Sequence, residues 1–297
     1  MAAAEGKRVR APLPELSPLP SAVRAALPLD GILGGKRRSA ASAALLVPRW
    51  LVELGEGLPR PVVRKLEAAQ LLLLCSGLLH EALLDEPKGA RFTAWDAAPL
   101  FSRAQQELAS LFPPDDLFWR GFSKLLREQA ASARWELRMR GKRLRFDARL
   151  LRALGSKAAL LRWPAFAIPR LAGGRPALQL DGMLQRLFVA HQLLDDLLDV
   201  DQDATRGQPN AVLAAQGAPA GDPFRRERQR ARARRKVCAA ARGQLRPLVR
   251  ALPAGCGLSR HCGHLLRWCG ELEERAGEIA ALGSAAHVLE ALLEGAR

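Results

Sequence analysis

The chain of 297 residues contains no Tyr, three Ile, two Thr and twelve Val. Those β-branched and aromatic types are the ones that fit a pleated, half-buried strand, so their scarcity argues against sheet. No stretch shows the strict alternation of a strand either. Cysteine is sparse and odd in number, at Cys75, Cys238, Cys256, Cys262 and Cys269. That excludes a disulfide framework and leads us to expect a reducing, cytoplasmic setting. Long apolar runs are missing too. The most apolar one, Leu71 to Leu84, is interrupted by Ser76, Gly77 and His80 and falls short of the ~20 residues of a spanning helix. It reads as a buried core helix. Residues 1–20 carry charges and prolines rather than the apolar centre of a signal peptide, so secretion is not expected.

What is present is Leu, Ala, Arg and Glu, all good helix formers, and the composition predicts an all-α protein. Basic residues outnumber acidic ones, 46 to 30, for a net charge of +16. Such a charge suits a polyanionic partner, whether nucleic acid, an acidic membrane surface or a phosphorylated metabolite, and does not choose among them. Pro12, Pro14, Pro18, Pro20 and Pro28 crowd residues 1–30, a density that prevents a stable helix and predicts an extended, flexible lead-in. From Ser39 the pattern turns helical up to the breakers between Gly55 and Pro61. A second helix is expected over about Val62–Leu84, apolar nearly all round and therefore central. Further helices are expected over about Asp96–Leu111, Pro114–Arg138, Asp147–Leu154, Lys157–Leu171, Leu178–Val200, Pro223–Leu252, Ser259–Leu282 and Ala285–Glu294. No linker divides the chain convincingly, so residues 31–297 are expected to form a single all-α domain.

The sharpest chemical signal is His191-Gln192-Leu193-Leu194-Asp195-Asp196-Leu197-Leu198-Asp199, followed by Asp201 and Asp203. On a helix Asp195 and Asp199 share a face with Asp196 beside them, while the leucines anchor the other side. Carboxylates gathered on an apolar helix repel and need compensation. Mg²⁺ supplies it readily, because it prefers carboxylate oxygens, keeps several waters and bridges to substrate phosphates. An acidic helix end turned to solvent presents the same residues.

The surrounding pattern resembles the class I isoprenoid synthases, specifically the trans-polyprenyl diphosphate synthases. Gln192 with Asp195, Asp196 and Asp199 is similar to their second aspartate-rich motif, FQxxDDxxD, with His191 in place of Phe. Gly34-Gly35-Lys36-Arg37 resembles their GGKR loop, with Arg38 one position early for its second arginine. His80-Glu81-Ala82-Leu83-Leu84-Asp85 resembles the first motif, HDDxxD, with Glu81 for the first aspartate and Ala82 for the middle one. Lys157-Ala158-Ala159-Leu160-Leu161 resembles the Lys-Thr-x-x-Leu segment between the two. The four stations stand in family order across residues 34–203. Gly207-Gln208 replaces the family's Gly-Lys after the second motif.

The resemblance implies a bundle of roughly ten helices around a central apolar cavity and a Mg²⁺-dependent prenyltransferase that condenses an allylic isoprenyl diphosphate with isopentenyl diphosphate. It implies Asp195, Asp196 and Asp199 as the main metal site, Glu81 and Asp85 as a reduced second one, and Lys157 as a catalytic lysine. Lys36, Arg37, Arg38, His80 and Gln192 would contact substrate, and a homodimer would be the usual assembly. Two alternatives stay open. One is a class I terpene cyclase, in which the cation meets a double bond of its own chain. The other is a non-catalytic homologue or regulatory subunit that binds prenyl diphosphate, to which Ala82 and Gln208 point.

Other signals read more plainly. Gly141-Lys142-Arg143-Leu144-Arg145-Phe146 looks locally like a GKRxR loop but stands out of family order and reads as a solvated basic turn. Phe224 to Lys236 holds eight basic residues and one acidic residue. It reads as a solvated helix, with contact to an anionic surface, RNA or the lipid head groups of a membrane met through residues 225–236, as the functional alternative. It has no interleaved aromatics, and no nucleic-acid partner is expected. Cys256, His261, Cys262, His264 and Cys269 lack the spacings of a zinc site. Trp119, Trp135 and Trp163 are expected in the core.

Overall fold

The computed structural model describes residues 38–54, 57–85, 93–173, 178–218 and 223–295. The Pro-rich lead-in and the Gly34–Arg37 loop lie outside them. The described residues form eleven α-helices and one 3-10 turn, with no strand among them. The helices are α1 (Arg38–Leu54), α2 (Arg60–Asp85), α3 (Ala94–Ala109), α4 (Leu117–Met139) and α5 (Ala148–Ser156). The 3-10 turn Ala159–Arg162 follows. Then come α6 (Pro164–Leu171), α7 (Leu178–Leu198), α8 (Val200–Arg206), α9 (Ala211–Gln216), α10 (Pro223–Ala251) and α11 (Gly257–Gly295). The chain divides into two compact units, Met1–Pro48 with Pro59–Pro113, and Arg49–Leu58 with Pro114–Arg297.

In the first unit α2 is the central element, as its composition predicts. Leu71, Leu72, Leu73, Leu74, Cys75 and Ser76 are consecutive and all buried, which only a helix enclosed on every side produces. Helix α3 packs along it through Ala97, Leu100, Ala104 and Leu108. Thr93 and Asp96 form a capping box at the start of α3, which satisfies amides that the first turn leaves without partners. Helix α1 passes through Pro48 without ending. A proline has no N–H to give the carbonyl four residues back, here that of Ala44. Gln70 supplies the missing donor, its Nε2 donating to the Ala44 oxygen at 2.8 Å, and the Gln70 side chain is itself fully buried.

In the second unit α7 is the spine, flanked by α10 and α5, with α11 packed along α10. Leu184, Leu187, Phe188, Ala190, Leu193, Leu194 and Leu197 of α7 are buried. Helices α5 and α7 approach closely at Gly155, where a Cβ would stand 2.5 Å from Val189 Cγ2. The expected helix 157–171 is instead the end of a helix, a 3-10 turn and a new helix. Lys157 is the C-cap of α5, and Pro164 begins α6 as its first residue, the position where proline's missing N–H costs nothing. Arg162, in the 3-10 turn, is 1% exposed and is paired with Glu128 at 2.7 Å and Asp181 at 2.9 Å. Glu128 also accepts from Ser156 Oγ at 2.7 Å. The two helices expected after residue 259 are one, since a glycine inside a helix costs only about 1 kcal/mol and Gly283 does not break α11. Trp163 is fully buried, as expected; Trp119 and Trp135 are half-buried.

Candidate functional site

The acidic motif occupies the end of α7 and runs into α8. Asp199 bends the axis at the junction, yet the i to i−4 bonding continues through it, with Asp199 N donating to Asp195 O at 3.0 Å and Asp203 N to Asp199 O at 2.8 Å. Asp195, Asp199 and Asp203 therefore keep helical spacing and fall in one row, all three half-buried.

Asp196 stands beside this row. It is 2% exposed, and both carboxylate oxygens are engaged within the protein. Oδ1 accepts from Gln192 Nε2 at 2.9 Å and Oδ2 from the backbone N–H of Ala211 at 2.6 Å. Ala211 is the first residue of α9, so Asp196 is bonded to an amide that the helix itself leaves without a partner. The neighbouring Asn210 completes the joint. Its Oδ1 caps α9 through Val212 N and Leu213 N, and its Nδ2 donates to Asp196 O at 2.8 Å and Asp203 Oδ2 at 2.7 Å. Burial pushes the Asp196 carboxyl up to about 7, against the opposing pull of the Lys157 charge and of the bonds from Gln192 and Ala211. Asp196 thus joins α7 to α9, with Gln192 donating to it.

Lys157 lies close enough to Asp196 for its charge to be felt there, and its Nζ is paired with Glu136 Oε1 at 2.8 Å. The segment 157–161 and the second aspartate motif are therefore neighbours. The first motif belongs to the other compact unit. There Glu81 is exposed, and the exposed His80 donates from Nδ1 to Ser76 O at 2.8 Å, while Asp85 ends α2. Lys36 and Arg37 lie outside the described residues, and Arg38 is the first residue of α1.

Among the described residues, no three His, Cys, Asp or Glu side chains are grouped to hold a metal ion. A cation here would take the pair Asp195 and Asp199, whose Cβ atoms at i and i+4 are about 6 Å apart, and fill its shell with water and phosphate oxygens. One or two carboxylates plus phosphates is the donor set Mg²⁺ ordinarily uses, so the residues fit that ion.

Sequence reasoning missed two features of this region. His191 Nε2 lies 2.9 Å from His261 Nε2, the rings stacked with centroids 5.1 Å apart, and Trp50 stacks on the far face of His261 at 4.9 Å. The basic turn at residues 141–146 sits against the end of the acidic motif, its Gly141 N donating to Gly207 O at 2.8 Å. No local signal marks either contact. The α9 helix was missed as well, although Asn210 directly before Ala211-Val212-Leu213 is the local pattern of a helix start. The cysteines are all free. Burial pushes the thiols of Cys75, Cys262 and Cys269 up to about 12, so none of these is a nucleophile at neutral pH.

No protein-family model matches the chain, and no curated protein matches it.

Proposed function

We propose that the protein is a Mg²⁺-dependent transferase acting on an isoprenyl diphosphate, in the manner of the trans-polyprenyl diphosphate synthases its motifs resemble. The observation that carries the proposal is the division of labour within Asp195-Asp196-x-x-Asp199. Asp196 is buried and bonded to Gln192 and Ala211, which anchors the end of α7, while Asp195 and Asp199, one helical turn apart beside it, are half-buried. A Mg²⁺ ion bound there would neutralise a diphosphate and improve it as a leaving group. Lys157 adds positive charge beside the motif, held in place by Glu136. For the first unit, the corresponding proposal is that Glu81 and Asp85 form a reduced acidic pair, with His80, Lys36, Arg37 and Arg38 as substrate contacts.

The test is pyrophosphate release from geranyl, farnesyl and geranylgeranyl diphosphates with Mg²⁺, each with and without isopentenyl diphosphate, followed by product extraction. Release only with the second substrate supports condensation, and release without it identifies the cyclase alternative. Asp195→Asn and Asp199→Asn should each abolish release while leaving the helical circular dichroism unchanged. If the folded protein releases nothing under any condition, the proposal fails in favour of the non-catalytic prenyl-diphosphate binder, the reading that Ala82 and Gln208 favour.

A further inference from the structure

We infer that the second unit carries a pocket for the phosphate groups of a soluble phosphorylated amphiphile, held by cationic side chains and needing no metal ion. The pocket is a cavity of about 550 Å³ formed where three separate pieces of chain meet. Lys142 and Arg143 come from the loop after α4, Arg226 and Arg230 from the first turns of α10, and the turn Gly207–Asn210 closes one side. Among the described residues of its wall the carboxylates are Asp201 and Glu227, against four cationic side chains. Asp201 is moreover ion-paired with Arg230, which orients that guanidinium. Leu144, Leu213 and Ala214 add apolar surface beside the cations, the combination that a phosphate bearing a hydrocarbon chain requires.

The loop is held in place rather than loosely solvated. At its start Gly141 N donates to Gly207 O at 2.8 Å. Gly207 is in the left-handed region at φ 65°, and a Cβ there would stand 3.3 Å from Gly141 N, so both the turn and the contact favour glycine. At its end Lys236 Nζ of α10 lies 5.1 Å above the Phe146 ring, within cation–π range. Asp147 then caps α5 through Arg149 N and Leu150 N. With both ends fixed, Lys142 and Arg143 are placed at the pocket in advance, which lowers the ordering cost of binding an anion. The inference does not rest on metal binding at Asp195 and Asp199, because the groups that would hold the anion are different ones.

The experiment is calorimetric titration of the full chain with inorganic pyrophosphate and with farnesyl diphosphate in EDTA, and co-sedimentation with phosphatidylglycerol vesicles at matched phosphate. The wild type should bind both soluble ligands, farnesyl diphosphate more tightly. The double variant Lys142→Ala/Arg143→Ala should weaken both at least tenfold. Asp195→Asn should bind like the wild type, which separates this site from the proposed metal site. Arg225→Ala/Arg228→Ala removes equal charge from α10 away from the pocket lining and should change affinity less than twofold. An equal loss in both double variants would mean diffuse charge attraction and would overturn the inference. So would pyrophosphate binding that the loop variant leaves intact, or binding to vesicles without binding to the soluble ligands.

Discussion

Asp196 and Asp195 are adjacent, chemically identical and opposite in role, so single substitutions separate them. Asp196→Asn puts an amide N–H against either Gln192 Nε2 or Ala211 N, both donors. A buried donor left unsatisfied costs about 1–3 kcal/mol, so the thermal midpoint should fall, and by more than for Asp195→Asn at the half-buried neighbouring position. Equal midpoints for the two variants would show that Asp196 is not an anchor. The histidine pair makes a second residue-scale prediction. A 2.9 Å Nε2 to Nε2 contact requires one ring to donate and the other to accept, so protonating the acceptor turns attraction into repulsion. Burial, followed by the charge of His264, lowers His261 from 6.5 to about 4, and burial and His261 lower His191 well below its ordinary value. Between pH 6.5 and about 4 an unfolded chain takes protons that the folded pair refuses. Stability therefore falls as pH drops through that window, by on the order of 3 kcal/mol for His261. Urea midpoints measured across pH 4–7 should show this fall, and His261→Phe should make it shallower, His191 supplying the remainder. Gln70 belongs to the same scale: nothing near residue 70 indicates that its amide serves a carbonyl orphaned by Pro48, because the two lie 26 positions apart along the chain.

Elements were legible where their signals are local. The long apolar α2 follows from spacing alone, and the helix expected over Pro114–Arg138 is α4, its start set three residues later by the Asp116 cap. The segment 157–171 was misread, because its leucines and alanines fit one continuous helix and the local break signal of Pro164, which starts α6, was outweighed by them. Helices α8 and α9 are too short for periodicity to reveal; α9 exists because Asn210 and Asp196 meet its first amides. Two predictions belong here. Glu128→Ala leaves the buried Arg162 with Asp181 as its carboxylate partner, and removing one member of a buried ion network typically costs about 3–5 kcal/mol; chemical denaturation measures it. Gly155→Ala forces a methyl into Val189 where α5 and α7 touch, and overpacking of that kind costs about 1–3 kcal/mol. Val189→Ala in the same chain should recover part of the loss, which a mere helix-propensity effect would not allow.

Across the whole molecule, charge and helix content were both readable in advance. Helix formation depends on residue-by-residue preferences that add along the chain, so a sequence almost without Tyr, Ile and Thr could be assigned all-α before any contact was known. The lack of a helix long and apolar enough to span a membrane follows from the same local arithmetic, and holds among the described residues. The position of an aspartate pair on one helical face is likewise set by a 100° step per residue. Which of two neighbouring aspartates turns inward is not set that way, nor is the meeting of His191 with His261, nor the placing of the basic turn 141–143 against Gly207. Each depends on contacts between segments 15 to 70 positions apart, where the energy comes from burial and from hydrogen bonds closed between distant donors and acceptors. A linear pattern carries the preference of each piece; only packing selects the partner.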